Sequence, residues 1–379
     1  MKLFCTSEEF DMKGIPGSGI PFICDRDMEL VDAPNEYLRY IAMVRGRTRS
    51  PETWLTYGKH LHEYYSFLEA NGLIWNSVNQ THIAAWRNAM LERGCTRSTV
   101  NQRLRCVHAF YAWANRSNKI DTLPYEREDV FVSKPRGFLA HVDASGNRVN
   151  ASELTIQTAK QYPRFLLMGQ AVQFLEALTP DSLKIMGYLA LLTGMRRNEI
   201  TRLDYRVVPS PTGYPSNKQL KMVLDPIMTT TKGNKERTVM VPYDLAVRMW
   251  DFFTFEWPKR NELHKKKHGR KSNRFFLSIY GDELDQFYMN NQFRRTSKKT
   301  GIKCNPHLLR HTFGTYELLR MSKKGDKNKA LLWVRDRMGH SSITTTEKYI
   351  HAADLVANDV VDDYQAAVCK VLKYGNQTE

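Results

Sequence analysis

Residues 121–165 break an otherwise regular helical spacing of apolar residues, and this break most constrains the fold. Pro124, Pro135, Gly137, Gly146 and Pro163, with polar residues between them, mark a linker too long for the inside of one compact domain. At 379 residues the chain is long enough for two domains. Before the break, Pro34 opens a helix carrying Tyr37, Leu38, Ile41 and Met43. Ser50-Pro51 opens a second, with Trp54, Tyr57, Leu61, Tyr64, Tyr65 and Leu68 on one face until Asn71-Gly72 stops it. A third runs from about Asn79 to Gly94, and a fourth carries Val100 to Trp113 and ends near Asn115. These four helices predict a compact all-α module over residues 34–120. Its aromatic stripe reads as core. Arg97, Arg103 and Arg105 read either as phosphate contacts or as a solvated face. Residues 1–33, rich in Gly and Pro, read as an irregular leader.

After the break, residues 166–379 predict a mixed, mostly helical domain with a small antiparallel sheet. Leu220–Met228 and Arg237–Val241 flank Lys232-Gly233-Asn234-Lys235 as a β-hairpin. Helices are expected at 170–178, 183–193, 243–256, 284–300, 306–320, 327–338 and 346–373. The basic run from Lys259 to Arg274 reads as a loop, either solvated or tracking phosphates.

The formal net charge is +16, and residues 1–33 hold three basic against seven acidic side chains, leaving the remainder near +20. Such a surface suits a polyanion, with nucleic acid first. Hydrophobic residues at 42% exclude a wholly disordered chain. No apolar run is long enough for a membrane helix and no secretory h-region follows Met1, so a cytoplasmic protein is expected. The six cysteines, with no CxxC pair, read as ordinary buried thiols.

Three stretches carry chemistry. In Thr193-Gly194-Met195-Arg196-Arg197-Asn198-Glu199 an apolar helix halts at glycine and a new one starts near Arg196, an arginine able to clamp a phosphate. In Pro306-His307-Leu308-Leu309-Arg310-His311 the three-residue spacing sets His307 and Arg310 on one helix face. The His307/His311 pair lacks the glutamate of HExxH, Leu308 standing in its place, and has no third ligand, so no metal is expected. In Met338-Gly339-His340, followed by Thr344-Thr345-Thr346-Glu347-Lys348-Tyr349-Ile350-His351, a turn ends one helix, threonines cap the next, and a tyrosine lies on its first turns.

In this order the motifs resemble the tyrosine recombinase (phage integrase) family. Thr193–Glu199 is similar to its T-G-[LM]-R-x-x-E motif, and Thr231–Pro242 to T-K-G-x-K-x-R-x-V-P with two extra residues, Met240 and Val241, before Pro242. His307–Thr312 is similar to H-x-L-R-H-T, and Met338–His351 to L-G-H…T…Y-x-H. The resemblance implies a helical core-binding (SAM-like) domain and a catalytic domain of the DNA breaking-rejoining type, clamping a duplex between them. It implies Arg196, Lys232, His307, Arg310, His340 and Tyr349 as catalytic, with Lys232 the acid for the leaving 5′-oxygen. Glu199, His311 and His351 would support them, and Lys235 and Arg237 would join Arg97, Arg103 and Arg105 in binding DNA. It further implies no cofactor, activity in EDTA, a duplex site with an inverted-repeat core, and a homotetramer on DNA, with accessory proteins open. The helix from Asp354 to Leu372 is expected either to dock on a neighbouring protomer or to pack on its own domain. A type IB topoisomerase, a telomere resolvase and a non-catalytic DNA-binding regulator are the alternatives on the same residues.

Overall fold

The computed structural model describes residues 1–12, 14–46, 50–131, 148–158, 163–229, 236–285, 287–323, 325, 327–340, 346–350 and 353. Its contacts divide the chain into two units, Met1–Lys160 and Gln161–Glu379.

The first unit is a helical module with an N-terminal strand pair. Strands β1 (Lys2–Cys5) and β4 (Pro21–Cys24) pair antiparallel, with Leu3 opposite Ile23, and β2 (Asp11–Met12) and β3 (Ile15–Pro16) form a short hairpin between them. The leader is therefore not irregular. Ile23 is fully buried in the helical core, and Asn35 bonds both its backbone N–H and its carbonyl. Four helices follow: α1 (Asp32–Arg39, continued by a π-helical turn to Val44), α2 (Pro51–Ala70), α3 (Gln80–Glu92) and α4 (Arg97–Arg116). Their ends obey local chemistry. Pro51 lies in the first turn of α2, the Asn79 side chain accepts from the His82 backbone at the start of α3, and the Thr96 hydroxyl caps α4. Tyr37, Tyr64, Trp86, Phe110 and Tyr111 fill the centre as core. Glu63 ties α2 to the other helices by accepting from Trp86 Nε1 and pairing with Arg93 and Arg103.

Much of the expected linker also belongs to this unit. Tyr125 stacks on His108, β5 (Arg127–Phe131) pairs with β6 (Arg148–Ser152), and Asn101 bonds Ile156 in both directions. These residues have no amphipathic period because they run as extended chain, part of it paired as β5 and β6, and join the helices at a few points. Of the described cysteines, Cys24, Cys106 and Cys304 are buried, Cys95 is intermediate and Cys5 is exposed.

In the second unit, α5 (Met168–Glu176) precedes α6 (Asp181–Thr193), whose residues from Ile185 to Thr193 are all buried. This helix is the axis of the core. Helix α7 (Arg197–Thr201) leads to β7 (Gln219–Leu224) and β8 (Arg237–Pro242), which pair antiparallel with Leu220 opposite Val241 and Met222 opposite Val239. Then come α8 (Tyr243–Asp251), α9 (Trp257–His268), α10 (Tyr288–Thr300), α11 (Pro306–Ser322) and α12 (Lys327–Met338). Residues 346–350 are helical, and residues 354–372 lie outside the described residues.

The basic run is not a loop, since its first half is α9. That helix buries Arg260, Asn261 and His264. Arg260 donates to the Leu277 carbonyl, Asn261 exchanges bonds with Ser272, and His264 bonds the Gly281 carbonyl. A helix that buries polar side chains shows no apolar period. Arg274 also turns inward, to the Arg202 carbonyl. Among the described residues, no helix is long and apolar enough to cross a membrane.

Candidate functional site

Gly194 starts the site. It ends α6 in the left-handed region at φ +66, and a Cβ there would lie 2.4 Å from the Phe313 ring, so α6 can stop here against α11 only with glycine. Its carbonyl accepts from Arg310 Nη1, and Arg310 Nη2 donates to the Met338 carbonyl at 2.5 Å. Arg310 thus bridges the ends of α6 and α12 from the second turn of α11.

Arg196, the N-cap of α7, donates from Nη2 to the Gly339 carbonyl at 2.6 Å and from Nη1 to Glu199 at 2.9 Å. Its own backbone N–H donates to the other Glu199 oxygen at 2.7 Å. Arg237 completes the cluster, pairing with Glu199 and donating to the Arg337 carbonyl. Glu199 is 1% exposed, Arg237 8% and Arg196 24%, so Arg196 is the most open to a ligand.

Arg237 was expected to face DNA, and its burial corrects that. It lies two and four residues before the buried Val239 and Val241, so strand alternation turns it inward with them. Two guanidiniums therefore pair with one carboxylate while a third, Arg310, lies near, an excess of buried positive charge. Burial would raise the Glu199 carboxyl, but Arg237 and Arg196 hold it below its usual range. Burial, then Arg196 and Arg237, push the Arg310 guanidinium down to about 9, still charged at neutral pH.

Tyr349 lies beside this cluster, fully packed, its ring parallel to His340 at 6.1 Å. Its hydroxyl is 2.6 Å from His311 Nδ1. Burial pushes the phenol up to about 12, against the opposing effects of Arg310 and Arg196. Burial and the neighbouring cations hold His311 and His340 down at about 3, so both are neutral near pH 7. A neutral His311 carrying its proton on Nε2 accepts the phenol's hydrogen at Nδ1. Contact with the Tyr349 hydroxyl thus falls to a residue expected only to support the site. His307 is exposed, its ring 4.1 Å from that of His311, while Arg310 of the same motif is buried. His340 Nδ1 meets the hydroxyl of buried Thr346 at 2.9 Å.

Lys232, Lys235 and His351 lie outside the described residues. In the first unit, Arg97 and Arg105 are exposed, whereas Arg103 is half-buried and paired with Glu63. Sequence reasoning placed a helix at α10 but missed its charged face. The helix buries Met289, Phe293 and Thr296 and exposes Arg294, Arg295, Lys298 and Lys299 without an acidic residue among them. The signal was available: two positive pairs four residues apart on the face opposite the apolar one. Among the described residues, no three His, Cys, Asp or Glu side chains could hold a metal ion.

Residues 164–355 match the phage integrase family, and residues 35–118 match the phage integrase N-terminal SAM-like domain. Transposase A from transposon Tn554 of Staphylococcus aureus is 24% identical over 366 residues, covering 88% of this chain and 90% of the relative. The tyrosine recombinase XerC of Herpetosiphon aurantiacus is 24% identical over 340 residues, covering 88% and 93%. Among solved structures, the XerH site-specific recombinase in a post-cleavage complex with palindromic difH superposes with a TM-score of 0.55 at 17% identity, covering 86% of this chain and 83% of that one. The Tn1549 transposon integrase with circular intermediate DNA gives 0.55 at 16%, covering 86% and 98%. On the match over more than half its length, the chain belongs to the phage integrase family of tyrosine recombinases.

Proposed function

We propose that this protein is a site-specific DNA recombinase, the integrase of a mobile element, acting through a 3′-phosphotyrosyl link at Tyr349 and a Holliday junction. The observation that carries the proposal is the meeting, in one unit, of three arginines with a tyrosine whose hydroxyl is already oriented by His311. Rejoining DNA without an external energy source requires that the broken phosphodiester be kept as an ester. A phenol does this by passing its proton to a neighbouring base, here His311 Nδ1, as its oxygen displaces O5′ and holds the 3′-phosphate.

The phosphorus gains negative charge on its non-bridging oxygens during attack. Arg196 and Arg310, with guanidiniums fixed by backbone carbonyls, stabilise that charge without reorganising. Arg237 and Glu199 hold Arg196 in place from below. The phenol remains protonated in the free enzyme, which protects it until a phosphate enters. His307 and His340 serve hydrogen bonding to the phosphate, and Lys232 protonates the leaving O5′. His351 supports the tyrosine helix.

The partner is duplex DNA with an inverted-repeat core, bound by four protomers, with accessory proteins acting where direction must be set. Residues 34–120 form the core-binding domain and residues 166–379 the catalytic domain. Exposed Arg97 and Arg105, and the basic face of α10, contact backbone phosphates, with Lys235 at the hairpin. Location is set by the substrate: the nucleoid of a bacterial cytoplasm. The test is a nicked suicide substrate carrying a site selected from a randomised duplex library. Wild-type protein should form a covalent adduct and Tyr349→Phe none. An adduct undiminished in Tyr349→Phe would overturn the assignment.

A further inference from the structure

The helix that carries the nucleophile touches the site at two points, three residues apart and therefore on one face. The Tyr349 hydroxyl meets His311 of α11, and Thr346 meets His340 in the turn after α12. The first contact belongs to the reaction already proposed. The second has no role in it, yet Thr346 is completely buried and its hydroxyl is 2.9 Å from His340 Nδ1.

We propose that Thr346 is a positioning residue: its hydroxyl donates to His340 Nδ1, so the ring carries its proton on Nε2 and offers it to the scissile phosphate. The inference rests on the recombinase reading. The cause is electrostatic. Arg310, Arg196 and Arg237 lie near His340 and oppose a second proton on the ring. A neutral imidazole has one donor and one acceptor nitrogen, and the bond made by one decides the state of the other. If Nδ1 donated to Thr346, Nε2 would present a lone pair to a phosphate oxygen, which repels it. With Thr346 as donor, Nε2–H becomes a neutral hydrogen-bond donor beside the arginines. Because Thr346 and Tyr349 share one helix, His340 takes this state when that helix is seated. Docking of the nucleophile and readiness of the phosphate donor are then one event.

Thr346→Val keeps the shape and removes the hydroxyl, while Thr346→Ser restores it. Single-turnover cleavage of the suicide substrate should fall about 10- to 100-fold in the valine variant, the scale for losing a partner that orients a site histidine, and return to within about threefold in the serine variant. DNA affinity and melting temperature should be unchanged in both. In protein labelled with nitrogen-15 histidine, with the His340 signals identified by their loss in His340→Gln, the wild type and Thr346→Ser should show the Nε2–H tautomer and Thr346→Val a mixture. Cleavage by Thr346→Val at the wild-type rate, or a wild-type His340 protonated on Nδ1, would overturn the inference. The recombinase reading fails separately, if no adduct depends on Tyr349.

Discussion

Gly314 lies on α11 directly beneath Tyr349, the proposed nucleophile, and replacing it with alanine tests how tightly that ring must seat. A Cβ at Gly314 would lie 3.0 Å from Tyr349 Cζ, 2.8 Å from Met338 Sδ and 3.1 Å from Met338 Cε. The methionine end can swing away; the tyrosine ring cannot do so freely. Its hydroxyl is held 2.6 Å from His311, and its ring is flanked by His340. A shift of a few tenths of an ångström therefore strains the bond to His311 or moves the oxygen from its line of attack. Overpacking of this kind costs about 1–2 kcal/mol. Alanine in a helix regains about 1 kcal/mol over glycine, spread over the whole fold. The two effects fall on different observables. The melting temperature of Gly314→Ala should stay within a few degrees of the wild type, while single-turnover cleavage should drop about five- to thirty-fold. Cleavage within twofold of wild type, with the fold intact, would refute close seating as the condition for attack.

Acidification should destabilise the fold in two stages. His311 and His340, neutral when folded, protonate first in the unfolded chain, so their contribution is full above about pH 6.5 and is lost as pH falls below it. Glu199, held below its usual range, adds stability above the ordinary carboxylate pKa that is lost as pH falls through its lowered value. Melting temperatures measured from pH 7.5 to 4 should fall, and less steeply in Glu199→Gln; an identical slope in that variant would contradict the lowered carboxyl. Each phosphate contact made by α10 should appear in the salt dependence of DNA binding: Lys298→Ala should lower the slope of log K against log salt by about 1, and an unchanged slope would remove that residue from the interface. If fixed guanidiniums supply the charge at phosphorus as proposed, cleavage should proceed at full rate in EDTA, and loss of activity restored by a divalent cation would contradict this.

The motifs of the second unit were legible because their spacing is local: a glycine that stops α6, an arginine that starts α7, and a histidine and arginine three apart on α11. The helices of the first unit were equally legible, since Leu61, Tyr64, Tyr65 and Leu68 share a face, and Asn79 and Thr96 cap α3 and α4. Legibility failed where burial did not use apolar residues. Helix α9 hides Arg260, Asn261 and His264 by bonding them to carbonyls 11 to 17 residues away, and Arg260 also to the Ser182 hydroxyl 78 residues away, which no local pattern reveals. The leader was masked by its glycines and prolines, although Pro21–Cys24 forms a buried strand. Arg237 could have been placed from alternation with Val239 and Val241. His311 could not, because its bond to Tyr349 spans 38 residues.

The most direct measurement is mass spectrometry of the protease-digested covalent complex. The DNA should be attached to the peptide containing Tyr349, through a 3′-phosphate, with the 5′-end of the departed strand a free hydroxyl. Attachment to any other residue, or through a 5′-phosphate, would contradict the claim that these arginines and this phenol act on one phosphorus.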